Sequence, residues 1–215
     1  MKDIVIVGAG GFAREVAWLI EDCNAIEAIW DLKGFIENSI ALVGERRGRY
    51  SIIGTDEDFL LVESSGINVV IGIGNPKVIS RIFHKISQNL HLNYPNLIHP
   101  SVRADFDNIR FGVGNIMCAG TTFTTDIDVG NLNIFNLSTT IGHDAHIGNF
   151  NVINPGAHIS GGVKIGNGCL VGTGAVILEN RIIGDNVIIG GGAVVTKDIP
   201  PNTVVAGVPA KPLEK

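Results

Sequence analysis

A histidine and an aspartate stand side by side at His143 and Asp144. Imidazole is the side chain whose charge changes between pH 5 and 8, so it suits proton removal near neutrality. A neighbouring carboxylate can fix the ring's tautomer and support the imidazolium that forms. The pair therefore reads as a general base with an orienting partner, able to free an amine or hydroxyl nucleophile of its proton. Two glycine-rich stretches offer a different chemistry. One is Gly8-Ala9-Gly10-Gly11-Phe12-Ala13, and the other is Gly72-Ile73-Gly74-Asn75 ahead of Pro76. Glycine turns between a strand and a helix can cradle phosphate on the helix N-terminus.

The element that must position His143 is a repeat. Every sixth residue from Phe111 to Val195 is large and apolar, fifteen positions in all. At 45% hydrophobic content, chance would give this about once in 10⁵ tries per phase. Two positions before each large residue the side chain is often small, as at Ala145, Ala157, Cys169, Ala175 and Ala193. Alternate strand residues share a face, so both positions point inward. The residue after the large one is Gly in eight of the fifteen hexads, and is expected to turn a corner at positive φ. Three short strands and three corners make one coil of three hexads, and fifteen hexads make five coils, roughly 24 Å of stacked prism. A β-sandwich would show strands every 8–12 residues with irregular turns, which this unbroken register opposes. Arg181 falls at an inward position and is expected to distort its corner. The general rule for parallel crossovers gives a right-handed coil.

Residues 1–95 read instead as a Rossmann-like α/β domain, and residues 96–215 as the β-helix with a C-terminal tail. Ile4–Val7 is a buried-strand pattern, residues 14–20 are helix-like, and residues 69–75 read as a second strand and turn before Pro76 opens a helix. The G-x-G-x-x-A pattern invites a nicotinamide-dehydrogenase reading. So short a segment leaves no room for a full double-wound sheet with a substrate domain, and nucleotide bound as part of a substrate is more economical. Asp31 or Glu37 could meet the ribose.

Net charge is −5 with pI about 5.6, and Arg46-Arg47-Gly48-Arg49 is short, so neither nucleic acid nor an anionic membrane is an expected partner. No apolar stretch approaches the ~20 residues that span a bilayer, and no signal peptide is read at the N-terminus. Cys23, Cys118 and Cys169 lack metal-like or disulfide-like spacing, which points to a reducing cytoplasm. His146 and His158 face outward two hexads apart, hence on different prism faces, and share no zinc; no metal site is expected. His99 reads as structural.

In this order the motifs resemble the bacterial hexapeptide-repeat sugar acetyltransferases, a group that includes nucleotide-aminosugar N-acetyltransferases and sialic acid O-acetyltransferases. The carriers are Gly8 to Ala13, Gly34-Phe35-Ile36-Glu37-Asn38, Ile73-Gly74-Asn75, Asn96 to Ser101, Ile141-Gly142-His143-Asp144, Pro155-Gly156-Ala157 and Gly207 to Lys211. The resemblance implies a left-handed β-helix and a homotrimer with active sites between neighbouring prisms. It implies a nucleotide sugar held by the α/β domain, at Gly8, Gly10, Gly11, Phe12, Glu37, Asn38, Gly74 and Asn75. It implies acetyl-CoA along the prism, with His143 matching the catalytic base, Asp144 its acidic partner, and the Gly161 N–H, one coil on, the oxyanion donor. Acetyl-CoA is expected to meet backbone around Gly174, Gly191 and Gly192, and Lys211 a CoA phosphate. Some members carry His where this chain has Phe12, and many carry a second active-site His where it has Val152.

The expected activity is acetyl transfer from acetyl-CoA to a sugar, with N-acetylation of a nucleotide-linked 4-amino-sugar leading. O-acetylation of sialic acid or another glycan hydroxyl is the alternative, and a nucleotide-sugar-binding scaffold the non-enzymatic one. A serine-type acetyltransferase would carry a long N-terminal helical segment in place of the α/β domain.

Overall fold

The computed structural model describes residues 1–62 and 66–213. Glu214 and Lys215, the end of the expected second domain, lie outside the described residues. Two compact units are present: Met1–Gly74 with Val78–Pro100, and Asn75–Lys77 with Ser101–Lys215.

The first unit runs β1 (Lys2–Val7), α1 (Gly11–Ile26), β2 (Trp30–Glu37), β3 (Arg46–Arg47), β4 (Tyr50–Thr55), β5 (Asn68–Ile71) and α2 (Pro76–Ile86). The sheet order is β3-β4-β2-β1-β5, with β4, β2, β1 and β5 parallel and β3 antiparallel to β4. Parallel strands covered on both faces are apolar throughout, and Ile4, Val5, Ile6 and Val7 are all buried. Helix α1 buries Ala13, Val16, Ala17, Ile20 and Cys23, the stripe that a helical period generates. The chain leaves β1 through Gly8 at φ 97°, where a Cβ would stand 2.9 Å from Ile73 Cγ1, so only glycine fits this turn.

The second unit is the stacked prism. Strand Thr140–Ile141 pairs in parallel with Thr122–Phe123 below and His158–Ile159 above, one coil away each time. The same step relates His146–Ile147 to Lys164–Ile165, and Val152–Ile153 to Leu170–Val171. Fourteen of the fifteen large repeat residues are buried. The exception, Phe111, is half-buried at the end of the stack, with ring contacts to Phe106 and Phe123.

The corners differ from the expected ones. Positive φ falls three residues after the large one, at Asp126, Leu132, Ser138, Asp144, Phe150, Gly156, Gly162, Gly168, Gly174, Asn180, Asn186 and Gly192. The glycine directly after the large residue has ordinary φ and is needed for space. At Gly142 a Cβ would stand 2.6 Å from Gly161 N, and at Gly148 it would stand 2.5 Å from Gly166 O. Close approach of successive coils, not left-handed backbone, explains that repeat.

Arg181 also departs from expectation. Asn180 turns the corner at φ 58° like its counterparts, and Lys164 N still reaches Arg181 O at 2.9 Å. The guanidinium turns away to Glu179 O and Asp198, so the ladder passes undistorted.

Inside the prism, Asn115, Asn133 and Asn151 are fully buried and stacked. Asn115 Oδ1 accepts the backbone N–H and the side-chain N–H of Asn133, and Asn133 Oδ1 accepts the same two groups of Asn151, at 2.9–3.0 Å. Asn151 Oδ1 accepts from Cys169 N. Replacing Asn133 with Ala would strand the buried backbone N–H and one side-chain N–H of Asn151, while Asn115 Oδ1 keeps the backbone N–H at position 133. The expected loss is about 2–4 kcal/mol in a urea titration. Asn149→Ala removes an exposed version of the same ladder and should cost under about 1 kcal/mol, because water replaces the lost partner.

Candidate active site

His143 sits at a prism corner formed after Ile141, with Asp144 as the left-handed residue of that corner at φ 58°. Asp144 N donates to Thr125 O in the coil below, and Gly162 N donates to His143 O from the coil above. The backbone of the pair is thereby tied in both directions. His143 Nδ1 lies 2.7 Å from Asp144 Oδ2. A carboxylate accepts only, so Nδ1 carries the proton and Nε2 is left with its lone pair. Both side chains are about two-thirds exposed. An exposed pair adds little to stability, about 0–1 kcal/mol, so its contribution is orientation.

Gly161 stacks on His143 one coil up. A Cβ at Gly161 would stand 2.7 Å from both Cε1 and Nε2 of the imidazole. The ring therefore lies over the Gly161 Cα, in space that any side chain would take. The Gly161 N–H has no hydrogen-bond partner among the described residues, and neither has that of His143 or of Glu179. The contrast with another corner is informative. There the amides of Val113, Asn131, Asn149 and Asn167 are closed by the side chain of the residue one coil further on. Backbone donors are left open on the corner that carries the His143–Asp144 pair.

The other expected prism residues fall elsewhere. Gly174 and Gly192 spend their N–H groups on Pro155 O and Thr173 O, whereas the Gly191 N–H is open among the described residues. Gly191 shares a column with Leu137 and Pro155, and Gly174 and Gly192 lie one residue on at the same corner, a different corner from that of His143. Lys211 is exposed on a short antiparallel strand beside Val204–Ala206. Val152 is buried. His146 meets Asp128 at 3.2 Å and His158 meets Thr140 at 2.8 Å, on different sheets. Both face a groove or solvent and share nothing. In the first unit His99 pairs with Asp22 at 3.1 Å. Among the described residues no group of three or more His, Cys, Asp or Glu side chains could hold a metal ion. Burial pushes the Cys169 thiol up to about 11, so it is no thiolate nucleophile at neutral pH.

The first unit holds a cleft of about 450 Å³ at the carboxyl ends of its parallel strands, where ligands of open α/β sheets bind. Gly8, Glu37 and Asn38 line it. Glu37 ends β2 and its Oε1 accepts from Ala9 N at 2.8 Å, tying the acid to the glycine turn. Asp31 lies at the opposite end of β2, paired with Lys33, which leaves Glu37 as the acid near the turn. Gly10, Gly11, Phe12, Gly74 and Asn75 do not line the cleft. Gly10 is the N-cap of α1 with no side-chain cap, and Asn75 Oδ1 is engaged by Lys77 N at the start of α2. Sequence reasoning missed Asp56, Arg81 and Lys85, which also line the cleft. The signal was available: Val78, Arg81, Ile82 and Lys85 recur at the spacing of one helix face.

Comparison with known proteins decides the family. The PglD N-terminal domain matches residues 3–86, and the bacterial transferase hexapeptide, of six repeats, matches residues 144–179 and 162–197. Together these span more than half of the chain. PerB from Caulobacter crescentus, in complex with CoA and GDP-perosamine, superposes with a TM-score of 0.87 at 26% identity, over 100% of this chain and 98% of that one. The chain is a hexapeptide-repeat sugar acetyltransferase. The acetyltransferase domain of PglB from Neisseria gonorrhoeae, in complex with acetyl coenzyme A, gives 0.86 at 29% identity over 99% of both chains. WeeI from Acinetobacter baumannii gives 0.87 at 28% identity, over 99% of this chain and 100% of that one. No curated protein sequence matches the chain. A Rossmann-like α/β unit followed by a left-handed parallel β-helix is thus its fold class, opposite in hand to the general crossover rule, and acetyl-CoA is its co-substrate.

Gly161→Ala is the sharpest probe of the geometry. The backbone there has no positive φ, so the fold should hold, while the new methyl displaces the imidazole. The acetyltransferase is expected to lose about 10²-fold or more in kcat, as for a misplacement of about 1 Å, with an unchanged urea midpoint.

Proposed function

We propose that the enzyme transfers acetyl from acetyl-CoA to the amino group of a nucleotide-linked 4-amino-sugar, with His143 as general base. One observation carries the reading: the imidazole, tied through Nδ1 to Asp144, presents Nε2 beside the open N–H of Gly161. The acceptor nitrogen attacks the thioester carbonyl carbon, a C–N bond forms, and the C–S bond breaks. His143 Nε2 takes the proton that the nitrogen sheds and returns one to the departing sulfur, so free CoA leaves as a thiol. Asp144 holds the ring and supports its positive charge between these steps. The Gly161 N–H meets the charge growing on the carbonyl oxygen; such a donor is typically worth about 10²–10³ in rate. Transfer is direct, in keeping with the absence of an activated thiol at Cys169.

The choice of an amino-sugar nucleotide is supported by the Caulobacter relative, whose complex holds CoA and GDP-perosamine, and by the cleft in the α/β unit. The assembly proposed is a homotrimer with active sites between subunits. Its support is the placing of open amides on two separate corners, Gly161 and Glu179 on one, Thr173 and Gly191 on the other. Two corners of one prism cannot face a single ligand, but corners of two adjacent prisms can. The cytoplasm, where both co-substrates are made, is the proposed compartment. No helix among the described residues is long and apolar enough to cross a membrane.

The test is thiol release from acetyl-CoA against UDP- and GDP-linked 4-amino-sugars, sialic acid and serine. Turnover is expected with an amino-sugar nucleotide, and His143→Ala should lower it by about 10²–10⁴-fold. Turnover with sialic acid alone, or normal turnover by the variant, would overturn the proposal.

A further inference from the structure

The cleft of the α/β unit holds a donor and an acceptor side by side that nothing in the acetyl-transfer chemistry uses. Asp56 follows the last residue of β4 and is largely buried, with 15% of its side chain exposed. Lys85 reaches it from α2, Nζ to Oδ2 at 2.8 Å, and also meets Glu57 at 3.0 Å. The Asp56 carboxylate first, and then that of Glu57, hold the ammonium above the ordinary lysine range, so it stays a donor. Two of its three N–H groups are committed and one remains. Asp56 Oδ1 has no partner among the described residues. Apolar walls flank this pair, Val7, Ile36 and Ile73 from the sheet side and Val78 and Ile82 from α2, and Glu37, Asn38 and Arg81 are the further polar side chains of the lining. A flat ring can enter between such walls, and its edge would meet a cation beside a carboxylate.

Resting on the reading that this unit binds a nucleotide, we propose that the cleft selects guanine: Asp56 accepts from N1–H and the N2 amino group, and Lys85 donates to O6. Bases are told apart by the order of donors and acceptors on their exposed edges. Guanine offers one acceptor followed by two donors, which matches one ammonium followed by two carboxylate oxygens. Uracil offers acceptor, donor, acceptor, so its second carbonyl would face a carboxylate oxygen. Adenine offers one donor and one acceptor, and leaves an oxygen of Asp56 unmatched. Discrimination follows because an unmatched buried carboxylate loses its water without gaining a partner.

The experiment is calorimetric binding of GDP, IDP, UDP, ADP and XDP to the full chain and to Asp56→Asn. The wild-type protein should bind GDP about tenfold or more tighter than IDP, which lacks the N2 amino group, and tighter than UDP or ADP by at least as much. The variant should lose about 10–100-fold for GDP and bind XDP more tightly than GDP, because the amide N–H now faces the C2 carbonyl of xanthine. A purely structural role for Asp56 would weaken all five ligands alike, without the gain for XDP, and would overturn the proposal. UDP or ADP binding as tightly as GDP to the wild-type protein would overturn the choice of guanine and leave the nucleotide reading standing. Failure of the wild-type protein to bind any of the five would overturn both. The IDP comparison needs no variant, so the proposal remains open to refutation if Asp56→Asn does not fold.

Discussion

The hydrogen bond between the backbones of successive coils is what the second unit depends on. Strand amides donate upward to the next coil, as Thr140 N does to Ala157 O, and left-handed corner residues donate downward, as Gly162 N does to His143 O. A coil is therefore held from both sides, and its corners cannot rotate independently. Stacking at this step needs glycine where coils approach most closely. It also sets His143 beneath Gly161, so the distance between the imidazole and that backbone amide follows from the repeat length.

The polar groups that the ladder leaves over mark the proposed functional surface. A prism has three corners, and an open amide at a corner costs little in water but much once covered. One corner closes its amides with asparagine side chains and thereby spends its binding capacity on stability. The His143 corner does not. There the Gly161 and Glu179 amides remain available, next to an imidazole whose tautomer is fixed by Asp144. The proposed catalytic site thus sits where internal satisfaction stops, in line with the general observation that functional sites break the local rules that the rest of the fold obeys.

Much of this was legible in the sequence because a six-residue period in large apolar residues has few structural solutions. The inward positions, the three-hexad coil and the neighbourhood of His143 and Gly161 all follow from that period. The cause assigned to the repeating glycine was wrong, because φ and space both favour glycine and sequence does not separate them; Gly142 has no positive φ, whereas Asp144 does. In the α/β unit the glycine turn and Glu37 could be read from a strand followed by a helix. The pairing of Asp56 with Lys85 could not, since it brings the end of β4 to the face of α2, and no local pattern records a contact between residues so far apart in the chain; the helical spacing marks only the face on which Lys85 lies. Asn75, expected against the nucleotide sugar, also accepts from Lys77 N at the start of α2, a role that an asparagine ahead of Pro76 fills on local chemistry alone.

The most direct test of the account is the crystal structure of the enzyme with a CoA analogue in which an amide replaces the reactive thioester. The account predicts the acyl carbonyl oxygen at about 2.7–3.1 Å from Gly161 N, with His143 Nε2 facing the acyl carbon. An acyl group bound at another corner, with the Gly161 amide left to solvent, would contradict it.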